Sequence, residues 1–156
     1  MYFPLEISGL EENTGFTVEF HPEGQKESDD LSDDIESLST SEYWEIKPTN
    51  PLTSSYDAIF HWETVTPQST NYNSITMSNL KEKTWEILGL NGKDGDQNKG
   101  SISVNDNMMK GYFALCNSRP FSAGITSVSQ ASCGGANATA ILYANGGIPP
   151  YQYDWI

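Results

Sequence analysis

The sequence predicts an all-β protein: an antiparallel β-sandwich, Ig-like or jelly-roll-like, followed by the first part of a second, Ig-like unit. Apolar and polar residues alternate along several short segments. A half-buried strand requires this alternation, because its successive side chains point to opposite faces. The segments recur about every 10 to 15 residues with turn residues between them, which is typical of sandwiches and barrels. Aromatic residues make up 12% of the chain, which favours a packed core over global disorder.

Seven segments of the first unit carry the strand pattern. They are Phe16–Phe20, Trp44–Lys47, Ala58–Trp62, Ser74–Met77, Thr84–Ile87, Ser101–Val104 and Gly111–Leu115. Ala58–Trp62 and Gly111–Leu115 are apolar at more positions, so we expect more of both faces to be covered there. The one helix-compatible window, 78–85, fits a turn between strands equally well. We therefore predict a sandwich domain of about seven or eight strands over residues 1–119.

Residues 21–42 interrupt this pattern with an acidic loop. Seven acids lie within residues 23–36 against one cation, Lys26, and serines fill most of the remainder. Such a segment repels itself and has little to bury, so we interpret it as a solvated insertion between two strands. Calcium binding by its carboxylates is the alternative, because oxygen ligands suit that hard cation.

The charge of the chain excludes two classes of partner. Lysine and arginine total 8, aspartate and glutamate total 21, and the formal net charge is −13. A chain this acidic repels the phosphates of nucleic acids and has no basic patch for anionic lipid. No run of about 18 apolar residues is present, so no membrane insertion is predicted. The first residues lack the basic and apolar regions of a secretory signal.

The chain changes character from residue 120 onward. A linker precedes a stretch rich in small residues, with strands predicted at Ile125–Ser129, Ala138–Ala144 and Tyr151–Ile156. Between the last two, Gly-Gly and Pro-Pro pairs mark a turn, because glycine permits positive φ and proline lacks the N–H donor. Thirty-odd residues are too few for a separate core, so we expect residues 120–156 to be a truncated second unit.

Two motifs of this second unit are unusually specific. Residues 133–141 read Cys-Gly-Gly-Ala-Asn-Ala-Thr-Ala-Ile, and residues 145–155 read Asn-Gly-Gly-Ile-Pro-Pro-Tyr-Gln-Tyr-Asp-Trp. Together they resemble the short repeat of gliding-motility surface adhesins, the SprB-type repeat, over about residues 125–156. The resemblance implies the N-terminal part of an Ig-like adhesin repeat, whose partners are neighbouring repeats of the same long chain.

The aromatic segments of the first unit follow a familiar order. They are Glu42–Ile46, Phe60–Trp62, Thr84–Glu86 and Gly111–Leu115. In that order they resemble the β-sandwich modules of large secreted surface proteins of the Bacteroidota, with Cys116 at a position where such modules often carry glycine. The resemblance implies an extracellular location on the bacterial cell surface, reached by type IX secretion through signal and sorting sequences outside this fragment. It implies a surface glycan or protein as target and supplies no catalytic residues.

Cys116 and Cys133 are the disulfide candidates. A bond between them would close a loop of about 17 residues and stabilise the fold by about 3 kcal/mol. The resemblance implies an alternative, in which Cys133 pairs with a second cysteine near the end of its repeat. Spacing does not decide between the two pairings. No motif places a base beside either residue, so neither is predicted to be a catalytic thiol.

Asp94, Asp96 and Asn98 resemble the start of a calcium loop, because oxygen ligands at alternate positions suit a hard cation. The bidentate glutamate that an EF-hand would carry further along the loop is Asn105 instead, and two lysines inside the segment oppose a cation. The alternative, which we favour, is a hairpin turn between two strands. Calcium is the one cofactor considered, and no other is predicted.

The histidines and the strand acids form no catalytic motif. His21 and His61 lack the spacing of a metal site, and we expect both to face solvent. Four acids lie on the polar phase of their strands: Glu19, Glu45, Glu63 and Glu86. Alternation directs these acids outward, so a carboxylate pair suited to glycoside hydrolysis is not expected.

Two classes of function differ in where they need the tryptophan side chains, which are Trp44, Trp62 and Trp85. Alternation predicts that they pack between two sheets. If they were exposed, they could stack on sugar rings, as in a carbohydrate-binding module attached to a secreted enzyme. We expect burial, which disfavours sugar binding by the sandwich. The resemblance to surface adhesins then implies a non-catalytic structural and adhesive segment of a large secreted cell-surface protein rather than an enzyme. The carbohydrate-binding module is the alternative.

Overall fold

Thirteen strands and one short 3₁₀ helix make up the regular structure of the described residues. The computed structural model describes residues 4–9, 15–22, 30–40, 42–50, 55–63, 71–106, 110–135 and 137–154. The strands are β1 (Leu5–Ser8), β2 (Phe16–His21), β3 (Asp30–Leu31), β4 (Ile35–Leu38), β5 (Tyr43–Pro48), β6 (Tyr56–Trp62), β7 (Ile75–Lys81), β8 (Thr84–Ile87), β9 (Leu90–Gly95), β10 (Gly100–Asp106), β11 (Gly111–Ser118), β12 (Ser122–Ser129) and β13 (Thr139–Asn145), and the 3₁₀ helix is Tyr72–Ser74. Within the described ranges no helix has the length and apolarity needed to cross a membrane.

The first eleven strands form two sheets that face each other. The first sheet has the order β1-β6-β10-β9, and the second has the order β2-β5-β11-β7-β8-β3, with β4 also paired to β11. β12 and β13 form a separate two-stranded sheet. The described pairs are antiparallel, apart from the parallel pair β3–β8. The predicted all-β sandwich is confirmed, with one parallel pair that alternation does not predict.

The main core lies between the two facing sheets and is rich in aromatic rings. Tyr56, Ala58, Phe60 and Trp62 alternate along β6 and are at most 2% exposed. The Trp44 ring meets the Phe60 ring edge-on, with 5.2 Å between the ring centroids. Burial of each large apolar side chain contributes about 1.5 to 3 kcal/mol, so this row holds the two sheets together.

A second, smaller core forms because the second sheet curls. β3 pairs with β8 and β4 pairs with β11, yet only residues 32–34 separate β3 from β4. Neighbouring strands lie about 4.8 Å apart, so this connection could not span β8, β7 and β11 if the sheet were flat. The curl encloses a set of buried side chains: Ile35, Leu38, Trp85, Ala114 and Cys116.

This second core corrects the interpretation of residues 21–42 as a solvated acidic loop. Residues 30–40 contribute β3 and β4, and Ile35 and Leu38 are 0% and 3% exposed. Glu36, between them, points to solvent. A charged segment can form strands when its few apolar side chains all reach one core. Residues 23–29, which carry three of the seven acids, lie outside the described residues.

The sandwich has more strands than the sequence pattern predicts. The seven predicted segments correspond to β2, β5, β6, β7, β8, β10 and β11. The window 78–85 is the end of β7, a two-residue turn and the start of β8. The pattern predicts neither β1 nor β9, which lie at the two edges of the first sheet. An edge strand needs fewer apolar residues, so its alternation is weak.

The second unit contains two described strands instead of the predicted three. β12 and β13 pair from Ser122–Asn145 to Ser129–Thr139, with a register shift between Ile125 and Ser127. Residues 151–154 take no part in a ladder, so the predicted strand Tyr151–Ile156 is wrong over these residues, and the last two residues lie outside the described ones. The preceding prolines lack backbone donors, which removes hydrogen bonds that a ladder would need.

Candidate functional site

The two-stranded sheet of β12 and β13, here called the ribbon (residues 122–145), is held by side-chain contacts as well as by its ladder. The Thr126 hydroxyl donates to the Ile141 carbonyl oxygen at 3.2 Å, and the Ser129 and Thr139 hydroxyls lie 2.7 Å apart. At the far end, the Asn137 side-chain oxygen accepts from the Ser132 amide at 2.9 Å and closes the loop. Small and β-branched residues dominate the strands, so the two backbones can pair without a second layer.

The ribbon exposes its apolar side chains. Nine large hydrophobic residues are exposed among the described residues, and seven of them lie between residues 121 and 153. Val128 is 64% exposed, Ile141 is 60% exposed and Ile125 is 56% exposed. In the part of the sandwich that the structure describes, only Val18 and Leu31 are exposed large hydrophobic residues, and the others are buried or partly buried. An isolated two-stranded hairpin is marginally stable in water, so a ribbon of this kind gains stability when another surface covers it.

The ribbon is fixed to the sandwich at a junction formed by Asp34, Arg119, Gly146, Gly147 and Tyr151. An Asp34 carboxylate oxygen accepts from the Gly146 amide at 2.9 Å, and the Tyr151 hydroxyl lies 3.5 Å from the same oxygen. The Asp34 backbone carbonyl accepts from the Arg119 amide at 2.8 Å. Charge-assisted hydrogen bonds of this type are about twice as strong as neutral ones, so Asp34 joins the two units.

Further bonds reinforce both sides of the junction. The Arg119 guanidinium Nε donates to the Ile35 carbonyl oxygen at 3.1 Å, and the Gly147 amide donates to the Arg119 carbonyl oxygen at 2.6 Å. The Tyr151 hydroxyl donates to the Gly146 carbonyl oxygen. Burial and the neighbouring Asp34 carboxylate raise the pKa of Tyr151 above its ordinary value, so this hydroxyl keeps its proton for donation.

Glycine is required at residue 146. Its φ is +68°, and a Cβ there would overlap the Pro120 carbonyl oxygen. Gly147 has a φ of +71°, with its backbone close to the Phe121 ring. The Gly-Gly pair that the sequence marks as a turn therefore brings the chain back to the junction, where the Tyr151 ring packs at a tilt against the Phe121 ring with 5.7 Å between ring centroids.

We expect Asp34→Ala to loosen the ribbon without unfolding the sandwich. The change removes the acceptor of the Gly146 amide, and bonds to a charged acceptor contribute about 1.5 to 3 kcal/mol. Hydrogen exchange of the Gly146 amide should therefore accelerate at least about tenfold. Asp33→Ala, at the neighbouring exposed acid, is the matched control. Equal protection of Gly146 in both variants would contradict a junction held by Asp34.

Two of the predicted calcium residues, Asp96 and Asn98, lie in a hairpin turn between β9 and β10, which is the alternative that the sequence favours, and the third, Asp94, lies on β9. An Asp96 carboxylate oxygen accepts from the Asn98 amide at 2.6 Å and from the Lys99 amide at 3.0 Å, and these bonds lower the pKa of Asp96. Asp94 lies on β9 opposite Ser101. The Asp96 carboxylate is thus engaged by the turn itself, so the turn chemistry accounts for these residues.

The two disulfide candidates, Cys116 and Cys133, are not joined to each other, and both are free cysteines in the structure. Cys116 is fully buried in the second core, where desolvation raises the pKa of its thiol to about 12. Cys133 is exposed in the loop of the ribbon, beyond the eight residues of β12. Eight residues of strand span about 26 Å, so the ribbon itself carries Cys133 away from Cys116.

The three tryptophans lie in the cores as predicted. Trp44 and Trp62 are 1% exposed in the main core, and Trp85 is 0% exposed in the second core. The Trp62 indole donates to the Asp96 carbonyl oxygen at 3.2 Å and ties the β9–β10 turn to the core. None of the three is available to stack on a sugar ring, which removes the main support for a carbohydrate-binding sandwich.

The two histidines are half-buried rather than fully solvent-facing: 31% of the His21 side chain and 30% of the His61 side chain is exposed. The His61 Nε2 atom lies 2.8 Å from a Glu6 carboxylate oxygen, a diagonal contact, since Glu6 on β1 is directly opposite Ile59 on β6. Lys81 pairs with Glu86 at 3.1 Å, and Lys99 lies 3.8 Å from Glu63.

One arrangement is not predicted from spacing. Glu19, His21 and Glu45 place their ligand atoms within 4.8 Å of one another. The Glu-x-His spacing on β2 is visible in the sequence, but Glu45 joins it only through the register of β2 with β5.

Comparison of the chain with protein-family models, with curated proteins and with solved structures finds no match in any of the three. These three comparisons therefore assign no function to the chain. The function proposed below depends on the sequence motifs of the second unit and on the geometry of the ribbon and junction.

Proposed function

We propose that this chain is a non-catalytic structural and adhesive segment of a large secreted, multidomain protein on a bacterial cell surface. The observation that carries the proposal is the exposure of the ribbon: Val128 and Ile141 are 64% and 60% exposed beside a sandwich that buries its own core. Exposed apolar side chains grouped on one element are typical of surfaces that contact another unit or a target. The gliding-adhesin motifs fall in and beside this ribbon.

The junction supports a stiff connection between the two units. β11 ends at Ser118 and β12 begins at Ser122, so three residues join them. Arg119, within that link, is bonded through its amide, its side chain and its carbonyl oxygen. Few rotatable residues remain free, so the ribbon keeps a fixed direction from the sandwich. Repeated along a chain, such connections would hold a stalk extended and present its adhesive faces.

The distribution of charge supports separate roles for the two units. All the lysines and arginines and all the acids except Asp154 precede residue 121. An acidic sandwich repels its copies and keeps a stalk soluble. The ribbon carries almost no charge, so its apolar side chains can approach a target without the cost of desolvating ions.

The alternative is a carbohydrate-binding module attached to a secreted enzyme. The exposed rings that could stack on sugars belong to the second unit: Tyr143 is 39% exposed, Tyr153 is 53% exposed and Phe121 is 60% exposed. These rings make a glycan a chemically reasonable target for the adhesive segment, through stacking on the second unit rather than on the sandwich.

Labelling of intact cells tests the proposed location. An antibody raised against the chain should stain unpermeabilised cells of the source organism, and brief treatment with an external protease should remove that signal. An intracellular enzyme, stained only after permeabilisation, is the control. A signal that appears only after permeabilisation and resists the external protease would refute a surface role.

A further inference from the structure

Three side chains on the outer face of the second sheet converge on one point. Glu19 on β2 lies directly opposite Glu45 on β5, and His21 lies two residues further along β2. The His21 Nε2 atom is 3.7 Å from a Glu19 carboxylate oxygen and 3.9 Å from a Glu45 carboxylate oxygen. Both distances are too long for hydrogen bonds, although all three ligand atoms lie within 4.8 Å of one another.

This arrangement holds two features that a bound cation would relieve. Two like charges directly opposite each other on adjacent strands destabilise the pair. The His21 Nε2 atom is shielded from solvent and has no hydrogen-bond partner, and an unsatisfied buried polar atom carries a free-energy penalty. The Lys47 Nζ atom lies 2.9 Å from a Glu45 carboxylate oxygen and its side chain is 55% exposed, so a cation already neutralises part of this charge from the solvent side.

The surrounding residues orient the three groups. The His21 ring stacks on Tyr43 with 4.4 Å between centroids and 13° between planes, which fixes the direction of Nε2. Tyr43 is held in turn by an edge-on contact with Tyr112 at 5.8 Å. The Glu45 side chain is 12% exposed, so its carboxylate has little freedom to leave. Ligands fixed in this way lose little entropy on binding an ion.

We propose that Glu19, His21 and Glu45 bind one divalent transition-metal ion, zinc in particular. Imidazole nitrogen and carboxylate oxygen both ligate zinc at about 2.0 to 2.2 Å, and a tetrahedral site at these lengths separates its ligand atoms by about 3.3 Å. The His21 Nε2 atom is 3.7 Å and 3.9 Å from the carboxylate oxygens of Glu19 and Glu45, and small side-chain rotations would shorten both distances to that value. Calcium and magnesium take oxygen ligands, so the imidazole favours zinc over them.

The ion would have a structural effect that is independent of the adhesive function. β2 is the edge strand of the second sheet and pairs only with β5 among the described strands. A metal shared by Glu19, His21 and Glu45 would join the two strands through their side chains and neutralise the facing carboxylates. Lys47 would release Glu45 as the ion enters. Water would complete the coordination, since the three protein ligands leave one tetrahedral position open.

Zinc titration by calorimetry, with cobalt(II) absorption as a second readout, tests this site. The untagged chain carrying Cys133→Ser is used, so that the exposed thiol cannot bind metal. We expect one zinc per chain, a higher melting temperature with zinc, and a visible cobalt spectrum without thiolate charge-transfer bands.

His21→Gln and Glu19→Gln should each weaken zinc binding at least about 100-fold, because each removes a ligand. His61→Gln, which alters the other histidine–glutamate pair, should bind as the parent does.

A substitution of Lys47 tests coordination in a second way. It should strengthen zinc binding, which mere damage to the fold by a substitution would not do. Lys47→Met should bind zinc several-fold more tightly, because it removes the cation that competes for Glu45. Lys81→Met, at a lysine paired with Glu86, should leave the affinity unchanged. Melting in EDTA verifies that each variant is folded. Absence of saturable one-to-one zinc binding in the parent would overturn the proposal, as would parental affinity in both folded variants His21→Gln and Glu19→Gln.

Discussion

Replacing Trp85 with alanine should lower the free energy of unfolding by about 3 to 5 kcal/mol, the range typical of a buried tryptophan. Trp85 is 0% exposed and fills the second core, between β8 and the buried residues of β4 and β11. The second sheet curls around this side chain, so its loss leaves a cavity that the short β3–β4 connection cannot close. Urea denaturation followed by circular dichroism measures the change.

Tyr153→Ala is the control for this substitution. Tyr153 is 53% exposed, so its truncation should change the free energy of unfolding by less than about 0.5 kcal/mol. A loss of under about 1 kcal/mol for Trp85→Ala would show that the second sheet does not enclose a packed core.

Gly100→Ala should destabilise the sandwich by about 3 kcal/mol, because the new methyl group has no space. A Cβ on Gly100 would overlap the Asp94 carbonyl oxygen across the β9–β10 pair and the edge of the Trp62 ring. Neither can move freely, since one is ladder backbone and the other is a fully buried side chain. The melting temperature should fall by several degrees.

Gly92→Ala is the matched control on the facing strand β9. A Cβ on Gly92 meets nothing within 4 Å, so this variant should be as stable as the parent or slightly more stable, through the reduced entropy of its unfolded chain. Equal melting temperatures for the two variants would contradict the close approach of the β9–β10 pair to Trp62.

Alternation identifies the strands that face the main core, because burial on one side imposes the pattern directly. The segment Thr84–Ile87 is predicted with the bounds that β8 has. Alternation does not predict β3 and β4. Within the acidic residues 30–40, only Ile35 and Leu38 are buried apolar residues, and both lie in the core that forms where the second sheet curls. Local sequence carries no signal for such a closure, which depends on pairings with β8 and β11.

The candidate sites depend even more on tertiary structure. The Gly-Gly turn is evident from sequence, but its docking on Asp34, 112 residues earlier in the chain, is not. The same holds for Glu45, which meets Glu19 and His21 only through strand register. The candidate pairing of Cys116 with Cys133 has a related limit: spacing gives the length of a loop and not the direction in which β12 leaves the sandwich.

The central claim is that the ribbon is an adhesive surface held out by an acidic sandwich. Retention of protein-coated microspheres under flow, on methyl-terminated glass and on polysaccharide-coated glass, tests it directly. Val128→Glu places a charge on the ribbon, and Val18→Glu makes the same change at the exposed valine of the sandwich. We expect Val128→Glu to reduce the retention of the microspheres at least about tenfold, because apolar contact is lost. Microspheres coated with the Val18→Glu variant should be retained as well as those coated with the parent. Equal retention of all three proteins, or no retention of the parent on either surface, would contradict the claim.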